Sequence, residues 1–246
     1  MATVLISGSG KRLGRGLAMR FAAAGWDVAL HYRRSADGAN SAAAEITQQY
    51  GRRAEVFNAD LSIEEEATGL VARAWERFGG LDVLVNNAGL FPEAVPALEV
   101  KQNKLDEFVR TNVYAALWCS QEFARRVGPA GEGRIVTLGS LGAEEVWKGR
   151  LPYHMSKAAL THAMRALALE LAPAVSVNVV APGLIVVPGE EGAGSMNISD
   201  ARFPMRRKGS VDDLFDAVKF FAECSRYITG QVLAVDGGYR LARGSG

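Results

Sequence analysis

The chain predicts an α/β fold: a doubly wound sheet of about seven parallel strands, flanked by helices on both faces, in a single domain. Three observations carry this. Short apolar and β-branched runs alternate with longer segments of helical period along the whole chain. Seven such strand runs spaced by helices require parallel pairing and right-handed crossovers. No linker, composition break or internal repeat divides the 246 residues.

The elements follow in order. Thr3 to Ser7 reads as a buried strand. From Lys11 to Ala24, Leu13, Leu17 and Phe21 recur every four residues on one helix face, and Gly25 closes that helix. Val28 to Tyr32 is the second strand, Asn40 to Tyr50 an Ala-rich helix, and Ala54 to Ala59 the third strand. Residues 64 to 78 give the cleanest helical stripe, through Ala67, Leu70, Val71, Ala74, Trp75 and Phe78. Leu81 to Val85 is a strand, Asn103 to Val127 one long helix, and Arg134 to Leu138 a strand. Residues 154 to 171 form a helix, Val175 to Val180 a strand, Val211 to Glu223 a helix, and Val232 to Val235 the last strand. Residues 184–210 are long and irregular, rich in Gly, Pro, Ser and Arg, and follow a strand's carboxyl end. A substrate-covering loop is expected there.

Composition excludes several classes. Hydrophobic residues make up 48%, too many for disorder. The net charge of +1 excludes a globally basic nucleic-acid binder. Two cysteines, Cys119 and Cys224, form neither a disulfide framework nor zinc spacing, and no His/Asp/Glu cluster suggests a metal. The first apolar run is too short for a signal-peptide core, and no stretch reaches the ~20 apolar residues that span a bilayer. A soluble, cytoplasmic protein without nucleic-acid or membrane partners is expected.

Ser7-Gly8-Ser9-Gly10-Lys11-Arg12-Leu13-Gly14 joins the first strand to the first helix. Glycines there let backbone approach a pyrophosphate, and the helix N-terminus faces the anion. Gly8 and Gly14 match the outer glycines of a G-x-x-x-G-x-G turn, with Arg12 at the middle position. The second strand ends in His31-Tyr32-Arg33-Arg34-Ser35, where an acidic residue would select NAD. Arginines pair instead with a 2′-phosphate, and Ser35 adds a hydroxyl, so NADPH/NADP+ is favoured. The charge distribution agrees: Lys11, Arg12, Arg15, Arg20, Arg33 and Arg34 stand against Asp27 alone in residues 1–35.

Tyr153 and Lys157 lie four apart on a helix, hence on one face. A phenol works near neutral pH when a cation such as Lys157 stabilises its phenolate. Ser140 ends a strand 13 residues before Tyr153, and Asn86-Asn87-Ala88-Gly89 ends another at the same sheet edge. Asn112 sits as a polar amide on an apolar helical stripe.

Together with Asp60-Leu61, Pro182-Gly183 and Asp236-Gly237-Gly238, these residues resemble the short-chain dehydrogenase/reductase family, Rossmann-like in fold, over essentially the whole chain. The resemblance implies a role for each. Tyr153 is the general acid, Lys157 lowers its pKa and binds the nicotinamide ribose, and Ser140 holds the substrate carbonyl. Asn112 holds a water linking Lys157 to solvent. Asp60 and Leu61 border the adenine, while Asn87, Ala88 and Gly89 line the cofactor groove. Pro182, Gly183, Leu184 and Ile185 border the nicotinamide, with Leu184 also on the substrate side. A homotetramer is implied, with the 103–127 and 153–171 helices packed in pairs.

The arginine at position 12, the His31–Ser35 run and Phe91 resemble the pteridine reductase branch. Phe91 then stacks on a pterin. Two positions depart from that branch: Ser140 stands where several members carry aspartate, and Gly89 where serine often contacts substrate. Reduction of a ketone, a 3-oxoacyl thioester or a cyclic imine is the alternative. A non-catalytic NADPH-binding protein and an enzyme for NAD-dependent oxidation of an alcohol are the competing classes. His154 and His162 read as bystanders, Cys119 as a core thiol, and Arg206-Arg207-Lys208 as a solvated charge run.

Overall fold

The computed structural model describes residues 1–91, 93–187 and 198–242. Seven parallel strands form one sheet: β1 (Thr3–Ile6), β2 (Asp27–Tyr32), β3 (Ala54–Asn58), β4 (Val83–Asn86), β5 (Gly133–Leu138), β6 (Val175–Pro182) and β7 (Val232–Val235), in the order β3-β2-β1-β4-β5-β6-β7. Strand pleating assigns alternate residues to two cores. Val4, Ile6, Val28, Leu30, Val83, Val85, Val136 and Leu138 pack under α1 (Arg12–Ala23), α2 (Ala36–Tyr50) and α7 (Val211–Glu223). Leu5, Ala29, Leu84, Ile135, Val177 and Val179 pack under α3 (Glu64–Phe78), α5 (Ala115–Val127) and α6 (Leu151–Glu170). The single doubly wound α/β domain is as the sequence predicts.

Three helices differ by more than a residue or two. The second helix begins at Ala36, because Ser35 turns out of the strand and the chain re-enters helix at once. The sixth begins at Leu151, with Pro152 in its first turn, where a missing amide is tolerated. The long helix predicted at 103–127 is interrupted. α4 (Gln102–Val109) passes into a π-turn at Arg110–Tyr114, where Ala115 donates to Arg110 O, five residues back, before α5 resumes the α-helical pattern.

The sequence reverses between β3 and β4, so β1 has β2 on one side and β4 on the other. Loops leaving the carboxyl ends of β1 and β4 diverge there and open a crevice. The base of the 184–210 loop is tied: Gly209 donates to Leu184 O at 3.0 Å and Val186 to Gly209 O at 2.8 Å. Residues 188–197 of the expected loop lie outside the described residues. α8 (Tyr239–Ala242) closes the described chain, with Tyr239 and Phe203 rings 5.1 Å apart.

Candidate active site

The glycine turn is shaped for close backbone approach. Gly8 has φ +66°, and a Cβ on Gly14 would lie 2.2 Å from Gly8 O. Arg12, at the middle position, takes the left-handed φ of +52° that a glycine would adopt, at a cost of about 1 kcal/mol. α1 has no acidic residue in its first turn, so nothing opposes an anion at its N-terminus. Asn87 ties the turn to β4: its Nδ2 donates to Ser7 O at 2.7 Å and Gly8 O at 3.0 Å. Ser7 Oγ accepts the amides of Asn87 and Ala88, both at 3.0 Å.

Arg33 and Arg34 are exposed at the end of β2, beside partly buried Tyr32 and Ser35. Arg33 Nε lies 3.4 Å from Asp60 Oδ2. Asp60 accepts from Ser62 N and Oγ, and these bonds with Arg33 and Arg34 hold its carboxyl below the usual range against the opposing effect of burial. An open helix N-terminus, a cradle with no room for side chains and two exposed guanidiniums at the end of β2 fit a phosphorylated dinucleotide.

Two residues expected to touch the cofactor have buried side chains. His31 is 2% exposed and shares the pleat of Ala29 rather than the crevice. Gly8 N donates to its Nδ1 at 2.9 Å, so Nε2 carries the proton and donates to Ala59 O at 3.1 Å. Burial pushes the imidazole down to about 4, so it is neutral. The Leu61 side chain is buried in the core under α3.

Ser140, Tyr153 and Lys157 converge where β5 meets α6. Ser140 is extended and caps the 3-10 turn Leu141–Ala143, its Oγ accepting from Gly142 N at 3.0 Å. Tyr153 is 8% exposed, and burial raises its pKa against the opposing effect of the Ser140 hydroxyl. Lys157 is 6% exposed, donates to Leu138 O at 2.9 Å, and is pushed by burial down to about 8. In this arrangement desolvation dominates the Tyr153 pKa. The outcome is a protonated phenol beside a lysine still mostly charged at pH 7.

Asn112, in the π-turn, is a clamp. Its Oδ1 accepts Leu90 N at 2.7 Å, and its Nδ2 donates to Leu90 O at 3.2 Å and Ser156 Oγ at 2.9 Å. Both amide hydrogens are therefore committed to protein, and the side chain fixes the segment after β4. Gly89 leaves room for it, since a Cβ there would lie 3.1 Å from Asn112 Oδ1. Gly183 crosses Asp236 closely, with a would-be Cβ 2.9 Å from its Cα; Pro182 ends β6, and Leu184 and Ile185 begin the tied loop base.

Phe91 is 40% exposed and meets Tyr153 edge-on at 5.0 Å. The Arg150 guanidinium lies 4.9 Å over its ring. Trp147 and His154 also stand against Tyr153, with ring centroids 6.4 and 6.1 Å away; the folded β5–α6 loop brings Trp147 there, and His154, a bystander by sequence, touches that loop. The Arg206–Lys208 run is held by protein: Arg207 bonds both carboxylate oxygens of Asp213 at 2.6 Å, and Arg206 donates to Ala201 O. His162 is exposed, and Cys119 is a buried thiol pushed up to about 12.

Two surface concavities, one lined by Thr3, Trp75 and Asp82, the other by Ala124, Leu171 and Pro173, lie at the strands' amino ends, away from these residues. Among the described residues no acidic, His or Cys cluster could hold a metal ion, and no helix is long and apolar enough to cross a membrane.

Comparison with known proteins agrees with this geometry. The family model described as enoyl-(acyl carrier protein) reductase matches residues 8–240. The chain is 30% identical to a 3-oxoacyl-(acyl-carrier-protein) reductase of Staphylococcus epidermidis, over 96% of this chain and 98% of that one. A short-chain dehydrogenase of Burkholderia cenocepacia, solved in complex with NADP, superposes with a TM-score of 0.87 at 35% identity, covering 97% of this chain and 98% of its own. Acetoin dehydrogenase of Salmonella typhimurium gives 0.89 at 29% identity, with 100% of both chains covered.

Proposed function

Because the chain belongs to the short-chain dehydrogenase/reductase family, a family of oxidoreductases, we propose that it is an NADPH-dependent reductase of a carbonyl group in a small substrate. The observation that carries this is the convergence of Ser140, a protonated Tyr153 and a charged Lys157 beside the glycine turn. When bound, NADPH supplies the hydride and leaves as NADP+. Gly8 to Gly14, Arg12, Arg33, Arg34, Asp60 and Asn87 would hold it. Ser140 Oγ orients the substrate oxygen. Tyr153 donates its hydroxyl proton to that oxygen as the carbonyl becomes an alcohol. Lys157 steadies the negative charge left on the phenol, and Asn112 keeps the adjoining segment in place.

NADPH over NADH is supported by the two exposed guanidiniums at the end of β2. A ketone is favoured over a pterin by Ser140, a neutral hydroxyl suited to a carbonyl, and by relatives named for ketoacyl reduction and acetoin. Phe91, half open beside Tyr153, supports the pterin reading and keeps it in the test. NADPH oxidation is measured with ketones, a 3-oxoacyl thioester, cyclic imines and a dihydropterin. Turnover of ketones that is lost in Tyr153→Phe supports the assignment; equal turnover by that variant defeats it. The homotetramer is part of the same reading, and light scattering after size exclusion tests it.

A further inference from the structure

Three aromatic side chains converge on one glycine behind the candidate acid. A Cβ on Gly142 would lie 3.0 Å from Tyr153 Cε1, 3.1 Å from His154 Nδ1 and 3.1 Å from Trp147 Cζ3. Its φ is not left-handed, so the glycine answers a need for space. The same loop orients the imidazole. Trp147 N donates to His154 Nε2 at 2.9 Å, which leaves Nδ1 protonated and donating to Gly142 O at 2.8 Å. One side chain on the tyrosine helix thus staples both ends of the loop that follows Ser140.

The staple sets the indole. Trp147 lies 24° from the plane of Tyr153, with centroids 6.4 Å apart. It packs against the buried cluster of Leu141, Phe203 and Tyr239. Its Nε1 is buried with no hydrogen-bond partner among the described residues. Phe91 meets the same phenol edge-on, at 76°. The carbonyl that accepts the Tyr153 proton therefore carries its substituents into aromatic surface.

We infer that Trp147, oriented by His154, determines specificity, and that the crevice selects carbonyl substrates bearing a flat conjugated substituent over small aliphatic ones. This deepens the reductase reading and rests on it. Aromatic walls contact flat π-systems through both area and quadrupole. A stapled wall does not repack around a small aliphatic group, which leaves unfilled space.

The test compares kcat/KM for 1-phenyl-1,2-propanedione and 2,3-butanedione with NADPH. The wild type favours the phenyl diketone by about tenfold or more. Trp147→Ala brings the ratio to about 1, Trp147→Phe keeps most of it, and His154→Ala follows Trp147→Ala. His154→Gln restores the wild-type ratio, since its amide also donates and accepts. A merely structural role would lower both substrates equally. Equal losses, or a wild-type ratio near 1, overturn the inference. No turnover of either diketone counts against the reductase reading; the ratio of their dissociation constants on NADP+-loaded protein then decides the wall separately. Equal constants overturn it, and preference for the phenyl compound, lost in Trp147→Ala, sustains it.

Discussion

Gly8 donates its backbone amide to Nδ1 of His31 at 2.9 Å, so the phosphate-binding turn rests on a buried, neutral imidazole. The same ring reaches Ala59 O, next to Asp60. One side chain therefore joins the glycine turn after β1 to the segment after β3 that carries Asp60.

That ring makes the fold acid-sensitive. Its folded pKa of about 4 lies below the unfolded value, so the unfolded chain binds more protons between about pH 6.5 and 4. The stability contribution is full above pH 6.5 and falls by about 3 kcal/mol as pH drops to 4. Urea midpoints at pH 7, 5.5 and 4.5 should show this slope in the wild type and a shallower one in His31→Gln. Identical slopes would remove His31 from the explanation.

Lys157 exchanges stability for chemistry. It is charged in both states at pH 7, yet burial lowers its folded pKa to about 8, a penalty of about 3 kcal/mol partly offset by the bond to Leu138 O. Lys157→Met should therefore stabilise the fold by about 2 kcal/mol while reducing turnover by about 100-fold or more. Thermal melts and NADPH oxidation on the same sample check both signs. In the wild type, reductive kcat/KM should decline above about pH 8 as the ammonium deprotonates.

Tyr153→Phe keeps the ring and its contacts with Phe91 and Trp147 while removing the proton donor. Turnover should fall by about 10³-fold, with cofactor affinity within about twofold of wild type by fluorescence titration. Turnover within tenfold of wild type would show that another group supplies the proton.

Arg33→Ala and Arg34→Ala should each weaken NADPH binding by about 10- to 100-fold and leave NADH binding nearly unchanged, the value of a charge-assisted bond to the 2′-phosphate. Parallel weakening of both cofactors would assign these arginines to the general shape of the groove.

Much of this was legible in the chain. The β-type runs and helical stripes foretold all seven strands, and Ser140, Tyr153 and Lys157 were found because strand ends and an i, i+4 pair leave local signatures. The π-turn was not, since its extra residue leaves the apolar stripe around Asn112 almost unbroken. His31 was placed in the groove because it adjoins Arg33 and Arg34 in the chain. Strand pleating turns its ring to the face of Ala29 instead. Trp147 carries no local mark, and His154 reads as a bystander of the tyrosine motif, because their relationship depends on main-chain groups of a loop that only the packed helix positions.

The place of β1 between β2 and β4 also bears on biosynthesis. Every strand around the glycine turn has been translated once Asn86 has been added, before β5 exists. The opposite wall of the crevice needs Ser140, Lys157 and finally Tyr239, which packs with Leu141 and Phe203 near the last described residue. A chain emerging from the ribosome can assemble its nucleotide-holding half while the half that handles substrate is still being made, and premature termination removes the reacting half first.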